Sequence, residues 1–380
     1  MKIVIAPDSF KESMTATEVC RAVEAGFKKT FPHAEYVNVP VGDGGEGTVT
    51  SVVDATGGVM VELQATGPLG EKVDAFYGVT GDGKTAVIEM AAASGLHLVP
   101  SELRNPCVTT SRGTGELILD ALDRGIERIV LGLGGSATND GGAGMASALG
   151  VKFLNVNGDE LPAGGEALSE LLSIDVSGLD ARLQSVKVDV ACDVTNPLTG
   201  PLGASAVFGP QKGATPEMVG ILDDSLKRYA EVVERNLGVA VDELPGAGAA
   251  GGLGAGVVAF LDGKLQSGID LVLDVIGFED AVRGAHLVIV GEGRIDSQTI
   301  HGKAPVGVAK RSKTVVEHVP VVAIAGSIGP DYEAVYDYGI DAVFSVMNSV
   351  VTLEEALLHG AQNVEKTAEN IARLIYLKIN

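Results

Sequence analysis

The sequence predicts an α/β chain of two domains: a discontinuous, flavodoxin-like parallel-sheet domain and an inserted mixed α/β domain. Three observations predict it. Apolar strands alternate with helices at both ends of the chain, the pattern of a parallel, doubly wound sheet. Together the two ends supply five strands, the number in a flavodoxin-like sheet. The full length of 380 residues, at about 150 per domain, leaves room for a second unit between them.

Residues 2–6 form a continuous apolar run, as in a strand buried on both faces. Thr15 or Thr17 can cap a helix in which Val19, Ala22, Val23 and Phe27 recur at helical spacing. Residues 36–41 read as the second strand, ended by Gly42-Asp43-Gly44-Gly45, with a helix from about Gly47. Runs at 59–65, 73–79 and 85–90, separated by Gly-Pro-Leu-Gly and Gly-Asp-Gly turns, read as antiparallel hairpins. A helix (115–122), a strand (128–133), a Gly-rich loop and a helix to Leu149 follow, then a strand at 186–191 and a helix from about Thr215 toward Pro245. The last hundred residues return to the first pattern, with strands at 286–290, 321–325 and 342–346, a helix at 306–316 and a long amphipathic helix at 353–377. The expected domains are 1–62 plus 284–380, and 63–283, with the active site in the cleft between them.

Composition narrows the function. With 28 basic and 50 acidic side chains the net charge is −22, a surface that repels nucleic acid and anionic membranes and excludes both as partners. The N-terminal apolar run is too short for a signal peptide, and the weakly polar stretch 246–261 falls short of the roughly 20 residues of a membrane span. Cys20, Cys107 and Cys192 fit no metal spacing and read as free thiols in a reducing cytosol. The expectation is a cytoplasmic protein acting on small molecules, with no motif that sets its oligomeric state.

Two nucleotide-binding expressions match. Gly78-x4-Gly83-Lys84-Thr85 satisfies the P-loop pattern, but Asp82-Gly83 joins two strand-like runs where a P-loop needs a helix, so a hairpin turn is the better reading. Gly132-x-Gly134-x-x-Ala137 fits a loose dinucleotide pattern. The longer context is more specific. A strand runs into Gly134-Gly135-Ser136-Ala137-Thr138-Asn139-Asp140-Gly141-Gly142 and then a helix, which makes an anion cradle of exposed N–H groups and hydroxyls. Gly246 to Gly256 reads equally as a linker, a close-packed helix start or a second cradle.

Acidic residues follow several strands: Asp8, then Asp43 and Glu46, Asp193, and finally Glu292 and Asp296. In open parallel sheets ligands sit outside these carboxyl ends. Phosphoryl transfer needs carboxylates for Mg²⁺, donors for phosphate oxygens and a group that orients the attacking hydroxyl. On this chemistry Asp43, Glu46, Glu292 and Asp296 are candidates for the metal. Asp8, Ser9, Lys11, Gly134, Gly135, Ser136, Thr138, Asn139, Asp140 and Lys303 are candidates for substrate or phosphate. Asp193 as base, its neighbour Asn196, and Lys212 and Arg294 for the substrate carboxylate are the catalytic candidates. His301 beside Lys303 reads as a surface or loop histidine.

Eight segments in order resemble the class I glycerate kinase family. They are Ala6-Pro-Asp-Ser-Phe-Lys-Glu-Ser13, Asp43-Gly-Gly-Glu-Gly-Thr48, Met90-Ala-Ala-Ala-Ser-Gly95, Thr110-Ser-Arg-Gly-Thr-Gly-Glu-Leu-Ile118, Gly134 to Gly142, Phe208-Gly-Pro-Gln-Lys-Gly213, Pro245 to Gly252 and Gly291-Glu-Gly-Arg-Ile-Asp-Ser-Gln298. Gly42 stands where the family usually has Ala, and Leu133 where it usually has Ile; neither change removes a functional group. The resemblance implies two α/β domains and ATP- and Mg²⁺-dependent phosphorylation of D-glycerate to 2-phosphoglycerate. Alternatives are a kinase acting at the 3-hydroxyl or on another small hydroxy acid, a dehydrogenase, and a non-catalytic sugar-acid sensor.

Overall fold

The computed structural model describes residues 1–379. The chain divides into two compact units, Met1–Asp43, Thr50–Gly57 and Ile269–Asn380 in the first, Gly44–Val49 and Gly58–Gly268 in the second. The strands, in chain order, are β1 (Lys2–Pro7), β2 (Glu35–Asn38), β3 (Val59–Thr66), β4 (Lys72–Val79), β5 (Thr85–Glu89), β6 (Arg128–Gly132), β7 (Lys152–Leu154), β8 (Ser173–Asp175), β9 (Lys187–Ala191), β10 (Lys264–Gln266), β11 (Leu287–Ile295), β12 (Val321–Ile328) and β13 (Ala342–Ser345).

The first unit is a parallel sheet in the order β13-β12-β11-β1-β2. That is the flavodoxin-like order, with its topological switch between β1 and β11, where successive connections leave in opposite directions. Ile3, Ile5, Leu287, Ile289 and Ile324 are buried on one face against Val19, Val23 and Phe27 of helix Ala16–Lys28 and Val364, Ala368 and Ile371 of helix Gly360–Ile379. Thr15 caps the first of these helices in a capping box with Glu18.

The second unit is a six-stranded mixed sheet, β10-β9-β6-β5-β4-β3. Its β3, β4 and β5 are antiparallel, and β5, β6, β9 and β10 run parallel. Gly81-Asp82-Gly83 turns β4 into β5, with Thr80 Oγ1 donating to Asp82 Oδ1 at 2.6 Å. No helix follows Lys84 and Thr85, so this segment is a hairpin turn. Ile88, Ile129, Leu131, Val190, Leu253 and Phe260 belong to the unit's core.

Three expectations are corrected. The unit boundaries differ from 62/63 and 283/284: all of β3 pairs with β4 in the second unit, and residues from Ile269 belong to the first, where Arg311 pairs with Asp270, Asp274 and Glu279. The single helix expected at 353–377 is two, Leu353–Leu358 and Gly360–Ile379. The break lies at His359, and just before it Ser13 Oγ, from the loop after β1, donates to the Leu357 carbonyl at 2.8 Å. The helix from Thr215 ends at Leu237, well short of Pro245, because Gly238 turns left-handed there. The β7–β8 hairpin and β10 were not expected; these three-residue strands are too short to leave a pattern. Among the described residues no helix is long and apolar enough to cross a membrane.

Candidate active site

In the first unit the chemistry gathers at the switch point. Pro7 pairs with Gly291, and the Asp8 N–H donates to the Gly291 carbonyl at 2.8 Å, which sets Asp8 beside the end of β11. Asp8 is only 8% exposed. Burial first, then the neighbouring Asp43 and Glu292 carboxylates, push its pKa up to about 7, against the Ser9 N–H donated to Oδ1 at 2.6 Å. Ser9 thus turns the backbone onto Asp8, and Lys11 lies exposed two residues further on.

Glu292 is already engaged. Its Oε1 accepts from Thr299 Oγ1 at 2.6 Å and its Oε2 from Lys303 Nζ at 3.0 Å, at the start of helix Ala304–Val315. Burial raises the Glu292 pKa in spite of both partners. Asp296, expected on the metal, instead closes its own loop: it accepts the Gln298 N–H at 2.9 Å and Arg294 Nε at 3.0 Å. Arg294 is otherwise exposed on this edge.

The Gly-rich loop of the second unit is braced from beneath. Lys212, 2% exposed, donates to Ser136 Oγ and to the Thr138 carbonyl, both at 2.7 Å. Asp140 is buried and accepts the Ser111 N–H and Oγ–H, both at 2.8 Å, and the Gly142 and Gly144 N–H groups. Asn139 donates to Ser205 Oγ at 3.0 Å and leaves its buried Oδ1 without a hydrogen bond. The run from Gly246 is a close-packed helix start. A Cβ at Gly251 would sit 1.9 Å from the Thr138 carbonyl, so only glycine lets the two backbones touch. Gly134 and Gly135 remain exposed.

Lys212, expected at the substrate carboxylate, is buried and braces the loop, and Asp140, expected at phosphate, is buried beneath it. Both follow from burial, which a linear sequence does not display. Burial pushes the Lys212 amine down to about 7, opposed by Asp140. Between about 7 and the ordinary 10.5 the unfolded chain keeps a proton that the folded chain has released, so this group's share of stability rises with pH across that window. In urea melts at several pH values the stability of the parent minus that of Lys212→Met is expected to climb from pH 7 toward pH 10. A difference flat with pH would contradict it.

Asp193 follows β9, exposed, with Oδ1 accepting the N–H of Gly268, the first residue of helix Gly268–Val275, at 3.0 Å. Asn196 donates its amide to the Leu202 carbonyl at 2.8 Å and so holds its own loop together. Glu46 belongs to the second unit and Asp43 to the first. Its electrostatic neighbour is Glu89. Glu89 was missed by sequence: buried at the end of β5, it accepts the Val49 N–H at 2.9 Å and pins the Gly44–Val49 segment. The signal existed, a carboxylate closing an otherwise apolar strand.

Comparison with known proteins decides what this set of residues belongs to. The model of the glycerate kinase family matches residues 3–376. The chain belongs to the glycerate kinase family. Within that family it is 60% identical to the glycerate kinase of Bacillus subtilis (strain 168), over 99% of this chain and 98% of that protein. It is 57% identical to the glycerate 2-kinase of Escherichia coli (strain K12), over 98% and 97% of the two chains. A crystal structure of a Salmonella typhimurium LT2 protein assigned as glycerate kinase 2 superposes with a TM-score of 0.92 at 54% identity, covering 100% of this chain and 99% of that one. This glycerate kinase family member thus shares the two-unit α/β architecture along its whole length.

Proposed function

We propose that the chain transfers the terminal phosphoryl group of ATP to the 2-hydroxyl of D-glycerate, giving 2-phosphoglycerate and ADP, with Mg²⁺ and in the cytoplasm. The observation that carries this reading is the 57% identity, over 98% of the chain, to a protein named glycerate 2-kinase.

The Asp8 and Asp43 carboxylates crowd each other at the switch point, a donor set that calls for a cation. Among the described residues no three His, Cys, Asp or Glu side chains have the spacing of a closed metal cage. Mg²⁺ is usually held by one or two carboxylates together with waters and substrate phosphates. When bound there it neutralises phosphate charge. Glu292, tied to Lys303 and Thr299, positions the lysine rather than competing for the ion. Lys11 and Lys303 attract phosphate oxygens, and the planar Arg294 guanidinium suits the glycerate carboxylate. In the second unit the exposed backbone of Gly134 and Gly135 offers N–H donors, while Ser136 and Thr138 are turned inward to hold the loop. Asp193 takes the proton of the attacking hydroxyl. ADP release from ATP, Mg²⁺ and D-glycerate tests the substrate. No ADP with D-glycerate, together with fast turnover of another hydroxy acid, would overturn it.

A further inference from the structure

The first unit contains a cavity of about 370 Å³ that the residues above do not fill. It opens at the carboxyl ends of β11, β12 and β13 and is bounded by the loop after β1 and by helix Leu353–Leu358. Its floor is bare backbone: Gly293 and Gly326 approach so closely that a Cβ on Gly326 would meet the Gly293 carbonyl oxygen at 2.5 Å. Its walls are apolar, from Phe10, Val346, Val351 and Leu357. Met347 and Leu353 on the rim are 40% and 73% exposed, large apolar surface with nothing over it in this unit. One cation, Lys11, stands at the edge nearest Asp8. The turn that presents it is closed by Phe10 and Met14, each donating its N–H to the other's carbonyl at 2.9 Å, with Glu12 held left-handed between them at φ +65°.

We propose that this cavity takes the purine base and ribose of ATP, with the triphosphate leaving past Lys11 toward Asp8. The assignment rests on the kinase reading above. The volume lies within the range, about 300–1,000 Å³, of pockets that enclose small molecules. A side-chain-free floor between apolar walls accepts a flat, aromatic, uncharged ring, whereas glycerate, a three-carbon acid with an oxygen on every carbon, offers those walls nothing apolar. The single cation is on the side where the phosphates must go to reach the switch-point carboxylates. On β11, Gly293 faces the cavity and its neighbour Arg294 the other side, as alternation along a strand requires, so base and acceptor carboxylate are kept apart.

Ala356, half-buried on the cavity wall, is outside the machinery assigned above. In Ala356→Trp the new ring occupies the space. KM for ATP is expected to rise at least about tenfold, a loss of about 1.4 kcal/mol, with KM for D-glycerate and the melting temperature unchanged. An unchanged KM for ATP, or a rise in KM for glycerate instead, overturns the assignment. Photolabelling of the parent protein with 8-azido-ATP covers the case in which the variant fails to fold. Label on 342–360 or 8–14 supports the cavity, and label on the 134–142 loop contradicts it. Because labelling needs no turnover, it reads the cavity even if the parent shows no activity with D-glycerate, a result that would count against the kinase reading alone.

Discussion

Asp193→Asn is expected to lower kcat with D-glycerate by roughly two orders of magnitude or more, the range for losing a general base, while the protein melts where the parent does. The carboxylate does two separable things. One oxygen accepts the N–H of Gly268 at 3.0 Å, a bond that the asparagine carbonyl reproduces. In the proposed reaction the negative charge, exposed at the end of β9, accepts a proton from the attacking hydroxyl, and asparagine cannot supply it. Asp193→Ala removes both and should also lower stability by about 1 kcal/mol, the usual cost of a lost helix cap. If Asp193 only capped the helix, the asparagine variant would be fully active and the alanine variant would lose activity only as it unfolds.

Asp8→Asn is expected to lose a similar or larger part of kcat and yet to melt higher than the parent when no divalent cation is present. Asp8 is a buried carboxylate crowded by Asp43 and Glu292. Asparagine keeps an acceptor for the Ser9 N–H at 2.6 Å and removes the repulsion, so the unliganded fold gains. Activity falls because a cation that Asp8 would help to hold offsets phosphate charge, an effect worth several kcal/mol in the transition state, and each 1.36 kcal/mol is a factor of about ten. Added Mg²⁺ with ADP should raise the melting temperature of the parent and leave that of Asp8→Asn nearly unmoved. A variant that melts lower, or that still responds to Mg²⁺ and ADP like the parent, would remove Asp8 from the phosphate site. Stability given up for function is what a crowded active-site carboxylate represents.

The parallel sheet of the first unit was legible because its strands are continuous apolar runs whose order follows from the chirality of the connections. Its closing helix was over-extended, since the chain breaks at His359, where Ser13, far away in sequence, takes the Leu357 carbonyl. The same holds for the glycine run at 246–256: alone it fits a linker as well as a helix, and only the Thr138–Gly142 backbone pressed against Gly251, Gly252 and Gly256 explains the glycines at those positions. Strand-end acids were visible as a group, but their division of labour was not. Glu292 and Asp296 look alike in sequence, yet one is committed to Lys303 and the other to its own turn. Lys212 and Asp140 read as ligand contacts, because charged residues are seldom buried. Their buried, reciprocal roles under the Gly-rich loop are tertiary facts. Glu89 was passed over for the opposite reason, as one acid in an apolar strand.

Phosphorus NMR of the product formed from D-glycerate, ATP and Mg²⁺ tests the central claim most directly, since it reports turnover and the position of the phosphate together. The expected spectrum shows ADP appearing with a phosphomonoester resonance split into a doublet by the single proton on C2. A phosphomonoester triplet, coupled to the two protons on C3, would show transfer to the 3-hydroxyl and contradict the assignment.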